Sequence, residues 1–433
     1  MTTYPALPLP RTLLDPAPEY ARWRAEEPER PLRRVILPDG STPWLVTRRA
    51  DARSVLADPR FSADASRPGF PGGRKYTQQP RPGLFHLMDP PDHTRLRRML
   101  IPEFSFRRTE ALRGRLQRIC DDLIDAMVAA ATAGGVAETD LVAAYALPLP
   151  TLAICELLGV ADQDRAFYRA KYEVVTDLTA APEEVAAART AVYAHLRALL
   201  SRRVHEPADD LVSRLAMDRI ATGEVTLDEA TGMLSLLLVA GHETTANLIG
   251  LSVAALLRSP AQLAALRAGV DGAGWPNAVE ELLRHLTEVR PGLCRIATED
   301  VQVAGVLVRA GEGVVVAVHA ANRDPVAIPA ANRDQAAIPA ANRDPVAIPA
   351  ASTDADGLGD LEDLDITRNV GRHLAFGHGP HQCIGQSLAR IELETALSTL
   401  FHRLPGLRET VPTEGLALST SAVHGLRTLP VTW

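Results

Sequence analysis

The sequence predicts a mainly α protein with small β-sheets (α+β), in which a single domain spans residues 1–433. Helical periodicity runs with few breaks from about residue 89 to residue 257. Short β-type segments occur only at 33–48, 300–319 and in the tail. A glycine-rich loop around residue 380 opens into one last helical pattern. No Pro-, Gly- or Ser-rich linker divides the chain into independent domains.

The elements follow in order. RRVIL, a turn at Pro38-Asp39-Gly40, and PWLVTR read as a hairpin over 33–48. Residues 60–88 are rich in Pro, Gly and Arg and read as a long loop of the kind that often carries function. Asp89 and Pro90 look like the N-cap and first turn of a helix. From Tyr168 to about Arg203 an alanine-rich helical signal is broken near Ala181-Pro182. Thr226 and Glu229 have capping-box spacing, and the pattern they open runs to about Leu257, on the order of 45 Å of helix. DVQVAG, VLVRAG and GVVVAVHA are β segments within 300–319. A final helix stops before Pro405, and the tail LALSTSAVHGLRTLPVTW reads as a β-hairpin.

Composition narrows the function. The net charge of −7, with no basic run or tail, argues against nucleic-acid binding. Arginine carries nearly all the positive charge, the only lysines being Lys75 and Lys171, which suggests a GC-rich, actinobacterial genome. Cys120, Cys155, Cys294 and Cys383 are far apart with no CxxC pair, as expected in a reducing cytoplasm. The N-terminus has no basic-then-apolar signal pattern, and the longest apolar run, 233–241, is interrupted by His242 and Glu243. A soluble, cytoplasmic protein is therefore expected.

The most specific motif is FGHGPHQCIG at 376–385. Glycines 377 and 379 let the backbone turn tightly and approach a flat partner. Cys383 sits where unpaired amide groups and the helix dipole favour a thiolate, shielded by Phe376. Such a thiolate suits axial ligation of a heme iron. A second motif, AGHETT at 240–245, lies in mid-helix. Met233, Leu237, Ala240, Gly241, Thr244 and Leu248 share one face by spacing, and the small residues open a gap beside Glu243 and Thr244. A buried acid–alcohol pair is costly unless used, yet a threonine can also satisfy itself by bonding back one turn. The residues alone leave both readings open.

Glu281 and Arg284 meet on one helix face, which alone is compatible with a surface ion pair. His93 and Arg97 project from the same helix face, Arg295 precedes a strand, and His381 lies two residues before the cysteine. Arginine and histidine suit carboxylates, although each alone could be a solvated surface charge. HGPH at 378–381 invites a zinc or non-heme iron reading, but no further ligands complete such a site.

The 376–385 loop resembles the FxxGxxxCxG cysteine-ligand loop of the cytochrome P450 family, and four separated motifs occur in that family's order over essentially the whole chain. The resemblance implies a soluble bacterial P450 fold, with heme b (iron protoporphyrin IX) between the long helix and the cysteine loop. Cys383 would be the iron ligand, with Phe376, Gly385, Ala240 and Gly241 as heme contacts. His93, Arg97, Arg295 and His381 would meet the propionates. Glu243 would feed protons and Thr244 would order water during dioxygen activation. Glu281 and Arg284 would be buried structural support.

The implied reaction is monooxygenation: one oxygen atom from O2 enters a hydrophobic small molecule, a natural-product intermediate of secondary metabolism, by hydroxylation or epoxidation. Oxidative coupling by the same heme, or a non-catalytic heme sensor, are the alternatives. Phe85, His86, Leu87, Leu237, Ala240, Leu293 and Val423 fall at substrate-contact positions of the family, which comprise the stretches 85–87, 291–294 and 422–424 together with Leu237 and Ala240. Electrons would come from NAD(P)H through a ferredoxin reductase and a ferredoxin, with Arg95 and Arg98 in the docking patch. A monomer with no nucleic-acid or membrane partner is expected.

The chain departs from the family at 320–349, where AANRDPVAIP, AANRDQAAIP and AANRDPVAIP stand in tandem. Only one such segment is expected, so about twenty to thirty residues look inserted. Each copy is too short to form a core of its own. A surface loop tolerates extra length cheaply, and a contact with a redox partner or neighbouring subunit is the alternative. The first copy follows directly on strand 313–319 and is expected to keep the family's place.

Overall fold

The computed structural model describes residues 4–72, 82–134, 137–176, 180–269, 274–287, 289, 292–325, 361–371, 373–412, 415–419 and 423–433. The chain packs as two compact units. The first comprises Met1–Pro80, His86–Thr94 and Asn277–Gln386, and the second Arg81–Phe85, Arg95–Pro276 and Ser387–Trp433.

The first unit is built on a five-stranded sheet in the order Leu32–Arg34, Trp44–Val46, Gly313–Val316, Leu293–Ala297, Phe61–Ser62. The expected hairpin is present, with Leu32 opposite Val46 and Arg34 opposite Trp44. Strand Gly313–Val316 is buried on both faces. Val314 and Val316 pack with Val55, Leu56 and Leu374, while Val315 turns to Leu7, Tyr20 and Leu45. Alternation of side chains along the strand produces this division. Each buried valine contributes on the order of 1.5–3 kcal/mol relative to exposure. The same strand therefore anchors helix Arg49–Ala57 on one side and the N-terminal segment on the other.

The first five residues of the first decapeptide copy belong to this core. Ala320 to Asp324 are all buried. The Asn322 side chain accepts from the Leu374 amide at 2.6 Å, and its carbonyl accepts from Arg49 and Arg284, both at 3.2 Å. Arg323 donates to the carbonyls of Glu362 and Leu14, and Asp324 accepts from the Arg49 amide at 2.8 Å. The second and third copies lie outside the described residues.

The second unit is helical around Leu227–Leu257, a helix of 31 residues. Its capping box forms as the spacing predicts: Glu229 N donates to Thr226 Oγ1 at 3.1 Å, and Thr226 N donates to the Glu229 carboxylate at 2.9 Å. Helices Pro148–Leu158 and Pro182–Arg203 pack along it. The long helix is apolar and long enough to cross a membrane, which the 233–241 run alone did not suggest, but 67% of its apolar window is buried inside the protein. It serves here as a core helix.

Ahead of helix Asp92–Leu100, the Asp89 carbonyl accepts from the His93 amide at 3.0 Å, and its carboxylate accepts from Ser62 Oγ and, at 2.8 Å, from the Ala63 amide. The tail pairs as the expected hairpin around Leu418 and Leu426, where the Ser419 amide donates to the Gly425 carbonyl and the Arg427 amide to the Ala417 carbonyl, both at 2.8 Å. Its last strand, Pro430–Thr432, is the centre of a three-stranded sheet with Glu138–Asp140 and Arg408–Glu409.

Candidate active site

In the first unit the cysteine loop is closed by its own backbone. The Cys383 amide donates to the Phe376 carbonyl at 2.8 Å, and the Gln382 amide to the Gly379 carbonyl at 3.0 Å. Gly377 and Gly379 have φ of 72° and 73°, a region that disfavours side chains. A Cβ on Gly379 would also overlap the Leu56 carbonyl of helix Arg49–Ala57, so that residue must be glycine for the loop to dock. The Leu293 side chain lies over the turn at Gly377. The Cys383 side chain is exposed on this fixed loop, three residues before helix Gln386–Arg403 begins.

Histidines and an arginine of the same unit have the chemistry to bind an anionic group. The His93 and His381 rings stack at 4.0 Å, tilted by 34°. Arg295, on strand Leu293–Ala297, is buried, and its side chain donates to the Cys294 carbonyl at 2.7 Å. Burial lowers its pKa, offset by charge from Cys294 and Asp89. A buried guanidinium of this kind fits a carboxylate ligand. His86 keeps solvent-reachable surface while being enclosed by protein, which pushes its pKa down to about 4. An exposed thiol, two stacked imidazoles and a buried guanidinium are donors that fit a heme with its propionates.

In the second unit the long helix is buried along most of its length but opens at mid-helix. Val239, Ala240 and Thr244 are exposed, and Leu236, Gly241 and Glu243 are half-buried. Thr244 Oγ1 donates back to the Ala240 carbonyl at 2.7 Å. Met233, Leu237 and Leu248 are buried, so the open stripe is narrower than the six-residue face predicted from spacing. Leu236 and Val239 reach it where spacing alone pointed to Leu237. Two loops of this unit flank the stripe. The 82–85 turn sits against the start of the helix, where a Cβ on Gly232 would overlap the Pro82 carbonyl. Phe85 follows that turn and is buried. Beyond the stripe, the Asn247 side chain donates to the Val423 carbonyl at 3.2 Å. Arg97 is buried within this unit. Ala422 and Pro291 lie outside the described residues.

Glu281 and Arg284 are fully buried in the first unit. The Glu281 carboxylate accepts from Arg284 Nε at 2.6 Å and from its terminal nitrogen at 2.8 Å. It also accepts from the Asp365 amide at 2.9 Å and pairs with Arg368. Arg284 in turn donates to the carbonyls of Asn322, Leu361 and Asp363. This network ties helix, first repeat copy and the segment leading to the cysteine loop within one unit. Sequence reasoning missed Arg368, since no local spacing links it to a carboxylate 87 residues away. Among the described residues no group of three or more His, Cys, Asp or Glu is placed to hold a metal ion.

The sequence profile of the family Cytochrome P450 matches residues 354–405. The chain is 43% identical to Cytochrome P450-SU2 of Streptomyces griseolus over all of this chain and 97% of that one. It is 42% identical to pentalenic acid synthase of Streptomyces avermitilis over 99% of this chain and 97% of that one. The crystal structure of GfsF superposes with a TM-score of 0.84 at 39% identity, covering 99% of this chain and 100% of that one. The chain belongs to the cytochrome P450 family, and it is a heme-dependent P450 monooxygenase.

Proposed function

We propose that the protein inserts one atom of dioxygen into a C–H or C=C bond of a hydrophobic natural-product intermediate, with heme b held by the thiolate of Cys383. The observation that carries this reading is the cysteine loop, which presents an exposed Cys383 side chain on a backbone fixed by its amide bond to Phe376 and by Gly379 against Leu56. When bound, the heme supplies the electron transfer and dioxygen chemistry that no side chain provides. Phe376 shields the thiolate, and Gly385, Ala240 and Gly241 are assigned to the heme contact. His93, His381, Arg295 and Arg97 neutralise the propionates.

Thr244 holds water by its hydroxyl and Glu243 passes protons inward. Phe85, His86, Leu87, Leu237, Leu293 and Val423 are assigned to the substrate, whose apolar character follows from theirs. The relation to pentalenic acid synthase supports a biosynthetic substrate. Electrons arrive from NAD(P)H through a ferredoxin and its reductase, with the protein a cytoplasmic monomer. Arg98 is exposed for an acidic partner, whereas Arg95 is held by Glu229 and the Glu224 carbonyl.

Turnover under labelled dioxygen with a surrogate ferredoxin system tests the reaction. Compounds that shift the heme spin state are the substrates to use. One labelled oxygen per product is expected. An unlabelled product would replace oxygen insertion by oxidative coupling.

A further inference from the structure

The second unit holds a buried polar contact that the oxygenase reading leaves unused. His242, between Gly241 and Glu243, has its Nδ1 2.6 Å from Thr151 Oγ1, 91 residues away in sequence. Both side chains are buried, at 4% and 2% exposure. Thr151 belongs to helix Pro148–Leu158, which packs along the long helix. The Thr151 hydroxyl also donates to the Leu147 carbonyl of its own segment at 3.2 Å. A hydroxyl has one proton, so with that proton on Leu147 the imidazole donates from Nδ1.

Burial pushes the His242 pKa down to about 4, so the contact joins neutral groups at ordinary pH. The Tyr172 ring, from helix Asp162–Thr176, is tilted toward the imidazole at 5.5 Å. A Cβ on Gly241 would stand 3.6 Å from Ile154 of the same partner helix. This side of the turn is therefore tied down. The other side carries half-buried Glu243 and exposed Thr244, and the Thr244 back-bond to Ala240 is of a kind that bends helices.

We propose that His242 is a positioning residue, whose hydrogen bond to Thr151 anchors the buried side of the 240–244 turn and so fixes the directions in which Glu243 and Thr244 leave the helix. The inference rests on the assignment of those two residues to proton handling.

The test uses the full-chain holoprotein with a surrogate redox system and reads the share of reductant lost as hydrogen peroxide. His242→Leu and Thr151→Val should each raise that share by roughly threefold to tenfold, the scale of one hydrogen bond. The double variant should do no more than the larger single one, because both remove the same contact. His242→Asn, whose amide can occupy the Nδ1 position, and Thr151→Ser should restore coupling. Independently of turnover, hydrogen exchange across 238–246 should quicken on the order of tenfold in Thr151→Val, with no change across 391–401.

Thr151→Val is near-isosteric and keeps the question open to test should His242→Leu fail to fold. Unchanged peroxide and exchange in these variants, while Thr244→Ala does release peroxide, would overturn the positioning role, as would additive effects. If Thr244→Ala itself released no more peroxide, the proton-handling assignment would fall and the positioning role with it.

Discussion

Glu281→Ala is expected to cost about 3–5 kcal/mol of stability and to prevent accumulation of heme-loaded protein. The carboxylate is fully buried and faces two guanidiniums, Arg284 and Arg368. Removing it leaves both charges in the interior without their counter-ion, the situation in which breaking an ion pair is most costly. Many proteins have only about 5–15 kcal/mol in all. The consequence should spread along the network, because Arg284 also holds the carbonyls of Asn322, Leu361 and Asp363. Urea unfolding of the purified variant, or its yield as folded protein at low temperature, measures the effect. A loss of about 1 kcal/mol or less, as for an exposed pair, would show that the network is not what holds the first unit together.

Thr244→Ala is expected to separate reductant consumption from product formation. The electrons would still be drawn, but they would leave as peroxide. Glu243→Gln should instead lower turnover itself, by about 10²–10⁴-fold, the usual worth of a positioned proton donor. Thr244→Ser should behave as the parent, because it keeps the hydroxyl that bonds to Ala240 at 2.7 Å. Product, peroxide and reductant measured together distinguish these outcomes. A Thr244→Ala protein with an unchanged product-to-reductant ratio would reduce the hydroxyl to a local helix back-bond.

The parts legible from sequence were those whose cause is local. The capping box at Thr226 and Glu229 involves two residues three apart, and the helix it starts ends at Leu257 as its periodicity indicates. The two glycines of the cysteine loop could be read as turn residues, and both have positive φ. What stayed hidden was non-local. Strand Glu138–Asp140 is three polar residues long and exists because Pro430–Thr432 pairs with it. The two bonds that the Asp89 carboxylate accepts, from Ser62 and the Ala63 amide, come from 27 and 26 residues away and have no local signal. Burial of the Glu281–Arg284 pair was implied by family resemblance and not by spacing, and Arg368 was invisible to both. Helical periodicity located the face around Ala240 and Thr244, but only packing shows that Leu236 and Val239 border its opening while Leu237 is buried.

The absorption spectrum of the reduced, carbon-monoxide-bound protein tests the central claim most directly, that the Cys383 thiolate holds the heme iron. A strongly red-shifted Soret band is expected for the parent chain, and its loss for Cys383→Ala. A band at the position of histidine-ligated heme, or a protein that purifies without heme, would contradict the account.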